Sequence, residues 1–401
     1  MGFIHYVIKV TAHFVEFCLL FAMQLLTVVG ARPRFIKAAA LSRAIVASGG
    51  AIQEQILHTG QHYDTAMSDQ FFTELGIPAP AFHLGIGGGS HGANTGRMLE
   101  AIEQVLLEQR PDALLVYGDT DSTLAGGLAA SKLKIPVVHV EAGLRSFNRH
   151  QPEEQNRMLI DHLAELCFAP TDSAVAHLRR EGIADQRIVR TGDVMADAAR
   201  IFGEEAERRA TELMTAAGLQ AMAGVNQNFV LSTIHRAENT DDPARLEAIL
   251  QALATVTTIG VDGHDPYPVL LPLHPRTKAR IASYRLEHLL EPLTLIPPLG
   301  FMAMVLLERQ ASLVVTDSGG VQKEAFLQGT PCVTVRTETE WVELLECGWN
   351  CLADPADTQG MLTAMKKQLS IATQYPRPQL YGNGHAAQEI LARLKQLQSH
   401  C

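Results

Sequence analysis

Short apolar runs that alternate with helix-length segments constrain the fold of this chain more than any other feature. Such alternation predicts parallel β-sheets covered by helices on both faces. The runs form two sets, which predicts two domains. The first set is Leu25–Val29, Gln55–His58, Ala113–Tyr117, Val137–Val140, Leu166–Ala169 and Arg187–Thr191. The second set is Phe229–Ile234, Val269–Leu273, Leu293–Ile296, Leu313–Thr316 and Cys332–Val335.

The predicted boundary between the domains lies near Gly192–Asp197, after the last run of the first set. We assign residues 23–192 to the N-terminal domain and residues 193–375 to the C-terminal domain. The final helical stretch, within residues 376–401, is expected to pack back on the first domain. Ligands of such folds bind at the carboxyl ends of strands, so we expect a site in a central cleft.

The composition narrows the classes of protein that this chain can represent. Its 401 residues, 47% of them hydrophobic, suffice for two α/β cores. A formal net charge of −10 argues against a general nucleic-acid-binding protein. The six cysteines form no CxxC pair and have no nearby histidine cluster. We therefore expect no metal site, and we interpret the thiols as buried groups of a cytoplasmic protein.

The first 22 residues are apolar but are interrupted by two histidines, a lysine and a glutamate. They are poor as a membrane span, because charges at mid-bilayer are costly, and they lack the basic start of a signal peptide. We expect no stable membrane insertion and interpret Met23 as the natural start, with residues 1–22 as a dispensable extension. A weakly membrane-associating helix is the alternative.

The segment Thr316–Glu324 carries the clearest functional signal. A buried strand ends there in Ser318-Gly319-Gly320, and a helix begins. Free N–H groups at a helix N-terminus bind anions, and paired glycines let a phosphate approach the backbone. Glu324, about one turn into the helix, is placed to accept hydrogen bonds from ribose hydroxyls. The alternative is a glycine-rich connection without a ligand.

Charged residues also follow three strands of the first set. Arg32 and Lys37 flank the start of a helix, where they can meet an anionic substrate or remain solvated surface charges. Asp119 can act as a base, orient another group or cap a helix. Glu141 emerges from an apolar strand, which is costly unless the carboxylate is paired or functional, and Arg145 is its candidate partner.

Three further segments leave more than one interpretation open. Glu153 and Arg157 lie on one face of a predicted helix, so they form either part of a site or a surface ion pair. His235 follows a strand of the second set, and the His274 segment repeats this basic pattern. Residues 87–92 match GxGxxG, but they follow the poor strand candidate 81–86. We interpret them as a glycine loop rather than a nicotinamide site.

Together these motifs resemble one family, the non-hydrolysing UDP-N-acetylglucosamine 2-epimerases. The resemblance extends from Met23 to the C-terminal helix, and its markers are Gly30-Ala31-Arg32-Pro33, Gly118-Asp119-Thr120, Val140-Glu141-Ala142-Gly143-Leu144-Arg145, Pro152-Glu153-Glu154-Gln155-Asn156-Arg157, His235-Arg236-Ala237-Glu238-Asn239 and Thr316-Asp317-Ser318-Gly319-Gly320. It implies two Rossmann-like domains arranged as in GT-B glycosyltransferases, a homodimer, and inversion of C2 in a UDP-sugar without a cofactor or metal.

The resemblance also implies a role for each motif. The acid/base carboxylates near the sugar would be Asp119, Glu141 and Glu153, and His235 would assist departure of UDP. Arg157 would orient the carboxylates or bind a second nucleotide. UDP would be held by Arg32, Lys37, Ser318, Gly319, Gly320 and Glu324.

The implied chemistry accounts for several carboxylates. Loss of the diphosphate from C1, coupled to removal of the C2 proton, gives a 2-acetamidoglucal, and UDP adds back while a proton arrives on the opposite face. Two faces require at least two positioned acid/base groups. The alternatives are a GT-B glycosyltransferase and a catalytically inactive UDP-sugar sensor. The three carboxylates argue against the first, and the intact motifs argue against the second.

One segment departs from the commonest family pattern. Thr339–Glu343 carries Trp341 where an arginine is expected and Val342 where a proline is expected. This variant resembles the subgroup that includes epimerases of UDP-2,3-diacetamido-glucuronic acid. We favour interconversion of UDP-N-acetylglucosamine and UDP-N-acetylmannosamine, with the diacetamido uronate as the alternative substrate. We expect Trp341 to influence this choice, because an indole cannot neutralise a phosphate.

Overall fold

The computed structural model describes residues 22–30, 32–60, 72, 74–219, 228–258, 266–371 and 376–398. The chain forms two compact units, one that runs to Ala198 and resumes at Tyr381, and one from Ala199 to Leu380. Apart from Ala22, the predicted N-terminal extension lies outside the described residues. The domain bounds proposed from the sequence stay predictions.

The first unit is built on a parallel sheet whose described strands follow the order β3-β2-β1-β4-β5-β6-β7. Its strands are β1 (Met23–Val29), β2 (Ile52–His58), β3 (Phe82–His83), β4 (Ala113–Tyr117), β5 (Val137–Val140), β6 (Leu166–Ala169) and β7 (Ile188–Arg190). Its helices are α1 (Arg32–Ala47), α2 (His91–Gln109), α3 (Asp121–Lys132), α4 (Pro152–Leu163) and α5 (Asp172–Arg180). Helix α6 (Val194–Arg208) then leads into the second unit.

The second unit repeats this plan with the order β10-β9-β8-β11-β12-β13. Its strands are β8 (Val230–Thr233), β9 (Val269–Pro272), β10 (Thr294–Ile296), β11 (Leu313–Thr316), β12 (Cys332–Thr334) and β13 (Asn350–Leu352). Its helices are α7 (Ala210–Ala216), α8 (Ala237–Thr240), α9 (Pro243–Thr258), α10 (Pro275–Tyr284), α11 (Phe301–Gln310), α12 (Gly319–Gln328), α13 (Val342–Glu346) and α14 (Thr358–Leu369).

Two parallel-sheet α/β domains are therefore confirmed, and both have the outward-running strand order of doubly wound folds. Central strands such as β4 and β11 are buried along their whole length, which explains why they read as continuous apolar runs. Two strands did not follow from the sequence. β3 forms within the segment judged a poor candidate and has only two residues, and β13 begins with the buried polar Asn350.

The last described helix, α15 (Ala386–Gln398), returns to the first unit and packs against α1. The buried carboxylate of Asp197 accepts hydrogen bonds from the backbone N–H groups of Ala386 and Ala387. An anion at this position satisfies donors that every helix N-terminus leaves without an intrahelical partner. Asp197 thereby fixes where the final helix begins.

None of the described helices is both long and apolar enough to cross a membrane. Within the same residues, no cluster of three or more His, Cys, Asp or Glu side chains is arranged to hold a metal ion.

Candidate active site

The turn after β4 brings a charged side chain against the backbone. Gly118 has a φ of +62°, and its N–H donates to the carbonyl of Val140 over 3.0 Å. A Cβ at this glycine would lie 2.7 Å from Cζ of Arg34, so only glycine leaves room for the guanidinium. The helix that follows is capped by Thr120, whose hydroxyl accepts from the N–H of Thr123. Thr120, and not Asp119, therefore caps this helix.

Five side chains of the first unit form a cluster of ion pairs, which we call the carboxylate cluster: Arg34, Lys37, Asp119, Glu141 and Arg157. Asp119 accepts from Arg34 on Oδ1 and from Arg157 on Oδ2. Glu141 accepts from Lys37 on Oε2, and Nη1 of Arg34 lies 3.5 Å from the same oxygen. Both carboxylates are buried, so their charges depend on these cations.

Glu141 has a φ of +74°, a left-handed conformation that is uncommon outside glycine. Strand alternation ends at this residue, and its carboxylate turns towards Lys37. The alternative in which Arg145 pairs with Glu141 does not hold, because Arg145 contacts Asp161 over 2.7 Å and Glu181 over 2.6 Å. Burial acts to lower the pKa of Arg145, but these two carboxylates outweigh that effect and raise it.

A buried histidine supports the turn from behind. Nδ1 of His139 lies 2.7 Å from Asp161, and Nε2 lies 2.8 Å from the carbonyl oxygen of Gly118. Asp161 also accepts from the N–H of Gly143 over 3.1 Å. Burial acts to raise the pKa of Asp161, but His139 and Arg145 together lower it. Asp161 was not among the predicted site residues, although it lies four residues after Arg157 on the same helix.

The start of α4 separates two adjacent glutamates. Glu153 is exposed, whereas Glu154 is buried and accepts from the N–H groups of Ser146 and Phe147, each over 2.9 Å. Arg157 pairs with Glu154 over 2.9 Å and with Asp119, so the ion pair considered with Glu153 is replaced by these contacts. Burial acts to raise the pKa of Glu154, but the two backbone N–H groups, Ser146 Oγ and Arg157 lower it.

Glu153 lies near a pair of polar residues of the first unit, His91 and Asp121. Nδ1 of His91 lies 2.8 Å from Asp121. The hydrogen bond and charge of Asp121 raise the pKa of His91, and the charge of Glu153 adds to the effect. Glu153 is thus presented on the exposed side of the helix start, apart from the ion pairs of the carboxylate cluster. The side chain of Arg32 lies outside the described part of the structure.

In the second unit, Asp317 joins the ends of two neighbouring strands. β8 pairs with β11, and the fully buried Asp317 follows β11 directly. Its carboxylate accepts from the N–H of His235 over 3.1 Å and from that of Arg236 over 3.0 Å. Nδ1 of His235 lies 3.3 Å from Asp317, and the ring is half exposed. Asp317 belongs to the Thr316–Glu324 motif, but no role for it was predicted from the sequence.

The Ser318-Gly319-Gly320 turn begins α12 as predicted, and Ser318 takes the N-cap position. Its N–H donates to Thr316 Oγ1 over 3.0 Å. Glu340 approaches so closely that a Cβ at Gly319 would lie 2.1 Å from its Oε1. Gly320 is exposed, so backbone at the N-terminus of α12 is accessible, and helix N-termini can bind anions.

Trp341 contacts this turn directly. Its indole N–H donates to the carbonyl of Gly319 over 2.8 Å, and Nζ of Lys323 lies 4.4 Å from the centre of its ring. The residue that departs from the family pattern therefore supports the predicted diphosphate turn. His274 serves as the N-cap of α10, where its Nδ1 accepts from the N–H of Arg276 over 3.2 Å.

A buried acid interacts with Glu324 of the helix that follows the turn. Glu308 on α11 is almost completely buried, and neither carboxyl oxygen has a hydrogen-bond partner among the described residues. Burial raises its pKa well above the ordinary value, and the nearby charge of Glu324 adds to the effect. Glu324 itself is half-buried on α12. The two carboxyl groups are thus electrostatically linked, with the proton favoured on Glu308.

The chain resembles known proteins along nearly its whole length. The family model described as UDP-N-acetylglucosamine 2-epimerase matches residues 45–395. A UDP-2,3-diacetamido-2,3-dideoxy-D-glucuronate 2-epimerase of Pseudomonas aeruginosa is 48% identical, over 94% of this chain and 100% of that protein. A UDP-N-acetylglucosamine 2-epimerase homolog of Methanococcus maripaludis is 42% identical, over 94% of this chain and all of its own length.

A similar solved structure comes from the same family of proteins. The crystal structure of the UDP-GlcNAc 2-epimerase of Methanocaldococcus jannaschii, in complex with UDP-GlcNAc and UDP, is 38% identical to this chain. It superposes with a TM-score of 0.77 and covers 93% of this chain and 100% of the other. At this identity the likeness extends beyond a shared fold.

Proposed function

The chain belongs to the UDP-N-acetylglucosamine 2-epimerase family of carbohydrate isomerases, and we propose that it inverts C2 of a UDP-linked 2-acetamido sugar. The observation that carries this proposal is the carboxylate cluster, in which two buried carboxylates lie at strand ends of one unit. The glycine turn of the other unit supports it, because it lies at a helix N-terminus, where anions can bind. An acid/base pair and a diphosphate site are the two things that the reaction requires.

We assign the steps to particular residues. Asp119, Glu141 and Glu153 remove and return the C2 proton, on opposite faces of the ring. His235, held by Asp317, assists departure of the diphosphate from C1. UDP is bound by Arg32, Lys37, Ser318, Gly319 and Gly320, with Glu324 on the ribose, and Arg157 orients the carboxylates or binds a second nucleotide. Elimination and re-addition transfer no hydride, so the scheme needs no redox cofactor.

The substrate that we favour is the diacetamido uronate. The relative named for this sugar is 48% identical over its full length, and the Trp341 variant points to the same subgroup. UDP-N-acetylglucosamine is the second candidate, because the Methanocaldococcus jannaschii enzyme whose structure this chain resembles is in complex with that sugar nucleotide. The two candidates share the chemistry at C1 and C2 and differ at C3 and C6.

The test is exchange of hydrogen at C2. Each candidate UDP-sugar is incubated with the protein in deuterated water, without added nucleotide cofactor, and the products are followed by proton NMR. We expect a C2 epimer and loss of the C2 proton signal from recovered substrate, since the hydrogen leaves as a proton. Epimerisation that retains the original hydrogen, or that requires added NAD, would contradict the mechanism. Production of no epimer from either sugar would contradict the function.

A further inference from the structure

Arg34 is the cation of the carboxylate cluster that the sequence analysis did not single out. It donates to Asp119 and lies 3.5 Å from Glu141, and only 15% of its side chain is exposed. Its Nε–H is buried and has no hydrogen-bond acceptor among the described residues. A buried donor without an acceptor is costly, so an acceptor supplied by a ligand would be favoured at this point.

Both carboxylates that Arg34 contacts have a second cation. Asp119 also accepts from Arg157, and Glu141 also accepts from Lys37. If Arg34 turns to another anion, neither carboxylate is left buried and unpaired, which is the costly outcome for an ion pair. Arg34 can therefore exchange partners without leaving either carboxylate unpaired.

The position of the guanidinium also suits a bound ligand. It lies flat against Gly118, where a Cβ would be 2.7 Å from Cζ and about as close to both Nη atoms. Gly118 directly precedes Asp119, the acid/base residue of the proposed reaction. A planar guanidinium presents its donors as a fork that matches a carboxylate, which a lysine cannot do.

We propose that Arg34 is a specificity-determining residue that binds a carboxylate at C6 of the sugar and thereby frees Asp119 and Glu141 for proton transfer. The inference rests on the proposed UDP-sugar function and deepens it to a uronate. In the cluster each oxygen of Asp119 accepts from one guanidinium. Transfer of Arg34 to the sugar carboxylate leaves Oδ1 open to a proton. A sugar without a charge at C6 offers no such carboxylate to Arg34.

The test compares two ligands that differ only at C6, UDP-glucuronate and UDP-glucose, by calorimetry. We expect the protein to bind UDP-glucuronate more tightly by roughly 10- to 100-fold, the effect of charge-assisted hydrogen bonds to a carboxylate. Arg34→Gln should abolish this preference and leave the affinity for UDP-glucose unchanged. Arg43→Gln, on the same helix α1, is the matched control and should keep the preference.

Arg34→Lys provides a second variant that retains the positive charge beside Asp119. We expect it to reduce the preference several-fold, because an ammonium lacks the guanidinium fork. Three results would overturn the inference. They are no preference for UDP-glucuronate in the parent protein, an undiminished preference in Arg34→Gln, or an equal loss of affinity for both ligands in Arg34→Gln. These outcomes are read from binding alone. C2 exchange tests the proposed function separately, so either one can fail while the other stands.

Discussion

At the scale of single residues, the site depends on where each acid lies relative to the cations. Asp119 and Glu141 are buried and ion-paired, whereas Glu153 is exposed at the start of α4. All three were predicted as acid/base groups from their motifs, and their catalytic roles stay predictions. Their surroundings differ enough that substitutions at Asp119 and Glu153 should have different side effects.

We expect Glu153→Gln to lower turnover by roughly 10²- to 10⁴-fold, the usual contribution of a general acid or base. The fold and the affinity for UDP should survive, because this side chain is exposed and outside the ion pairs of the cluster. Steady-state kinetics and UDP calorimetry measure the two effects. Glu100→Gln, an exposed glutamate on α2, is the matched control. Unchanged turnover in Glu153→Gln would remove Glu153 from the proposed mechanism.

Asp119→Asn should lower turnover over the same range of roughly 10²- to 10⁴-fold. Here the loss of charge also leaves Arg34 and Arg157 without one carboxylate partner, so a lower urea midpoint than in Glu153→Gln is expected. Kinetics and urea unfolding of the two variants, measured together, separate the catalytic loss from the structural loss. Equal urea midpoints would mean that the two ion pairs add little stability.

At the scale of elements, the parallel order of the strands decides which loops meet. β8 and β11 are neighbours, so the loop that carries His235 reaches the start of α12 and is held there by Asp317. Trp341 comes from the segment after β12, the next strand in the sheet. Three separate loops therefore build one turn, which the spacing of motifs along the chain does not reveal.

Trp341→Phe tests the contribution of this third loop. The substitution keeps an aromatic ring near Lys323, but the hydrogen bond from the indole N–H to the carbonyl of Gly319 is lost. We expect UDP to bind more weakly by about fivefold, the usual effect of removing one neutral hydrogen bond of about 1 kcal/mol. Calorimetry with UDP alone measures this without involving the sugar. Unchanged affinity would show that the indole N–H does not support the turn.

At the scale of the whole molecule, each unit has its own core, with apolar residues of strands and helices packed on its sheet. The second unit also buries the acid Glu308, whose pKa burial raises well above the ordinary value. The folded chain therefore holds a proton there that the unfolded chain releases. The contribution of Glu308 to the free energy of unfolding is fully present below the ordinary pKa of glutamate and is lost as pH rises towards the raised value.

Glu308→Gln keeps the shape of the protonated acid and removes the titration. We expect the variant to gain stability over the parent protein as pH rises from 5 to 8, by at most about 1.4 kcal/mol per pH unit. Urea midpoints across this range measure the difference, and Glu204→Gln on the surface of α6 serves as the control. Parallel pH profiles for parent and Glu308→Gln would show that Glu308 does not keep its proton.

The sequence by itself determined the two α/β domains, most strand positions and the turn that begins α12. These follow from local periodicity, from glycine chemistry and from apolar runs that only buried parallel strands explain. Tertiary structure alone decided the ion pairs. Arg34 and Asp119 are 85 residues apart, and Asp317 and His235 are 82 apart. A charged residue finds its partner through strand order and backbone conformation, as Glu141 does by leaving the extended region and pairing with Lys37 instead of Arg145.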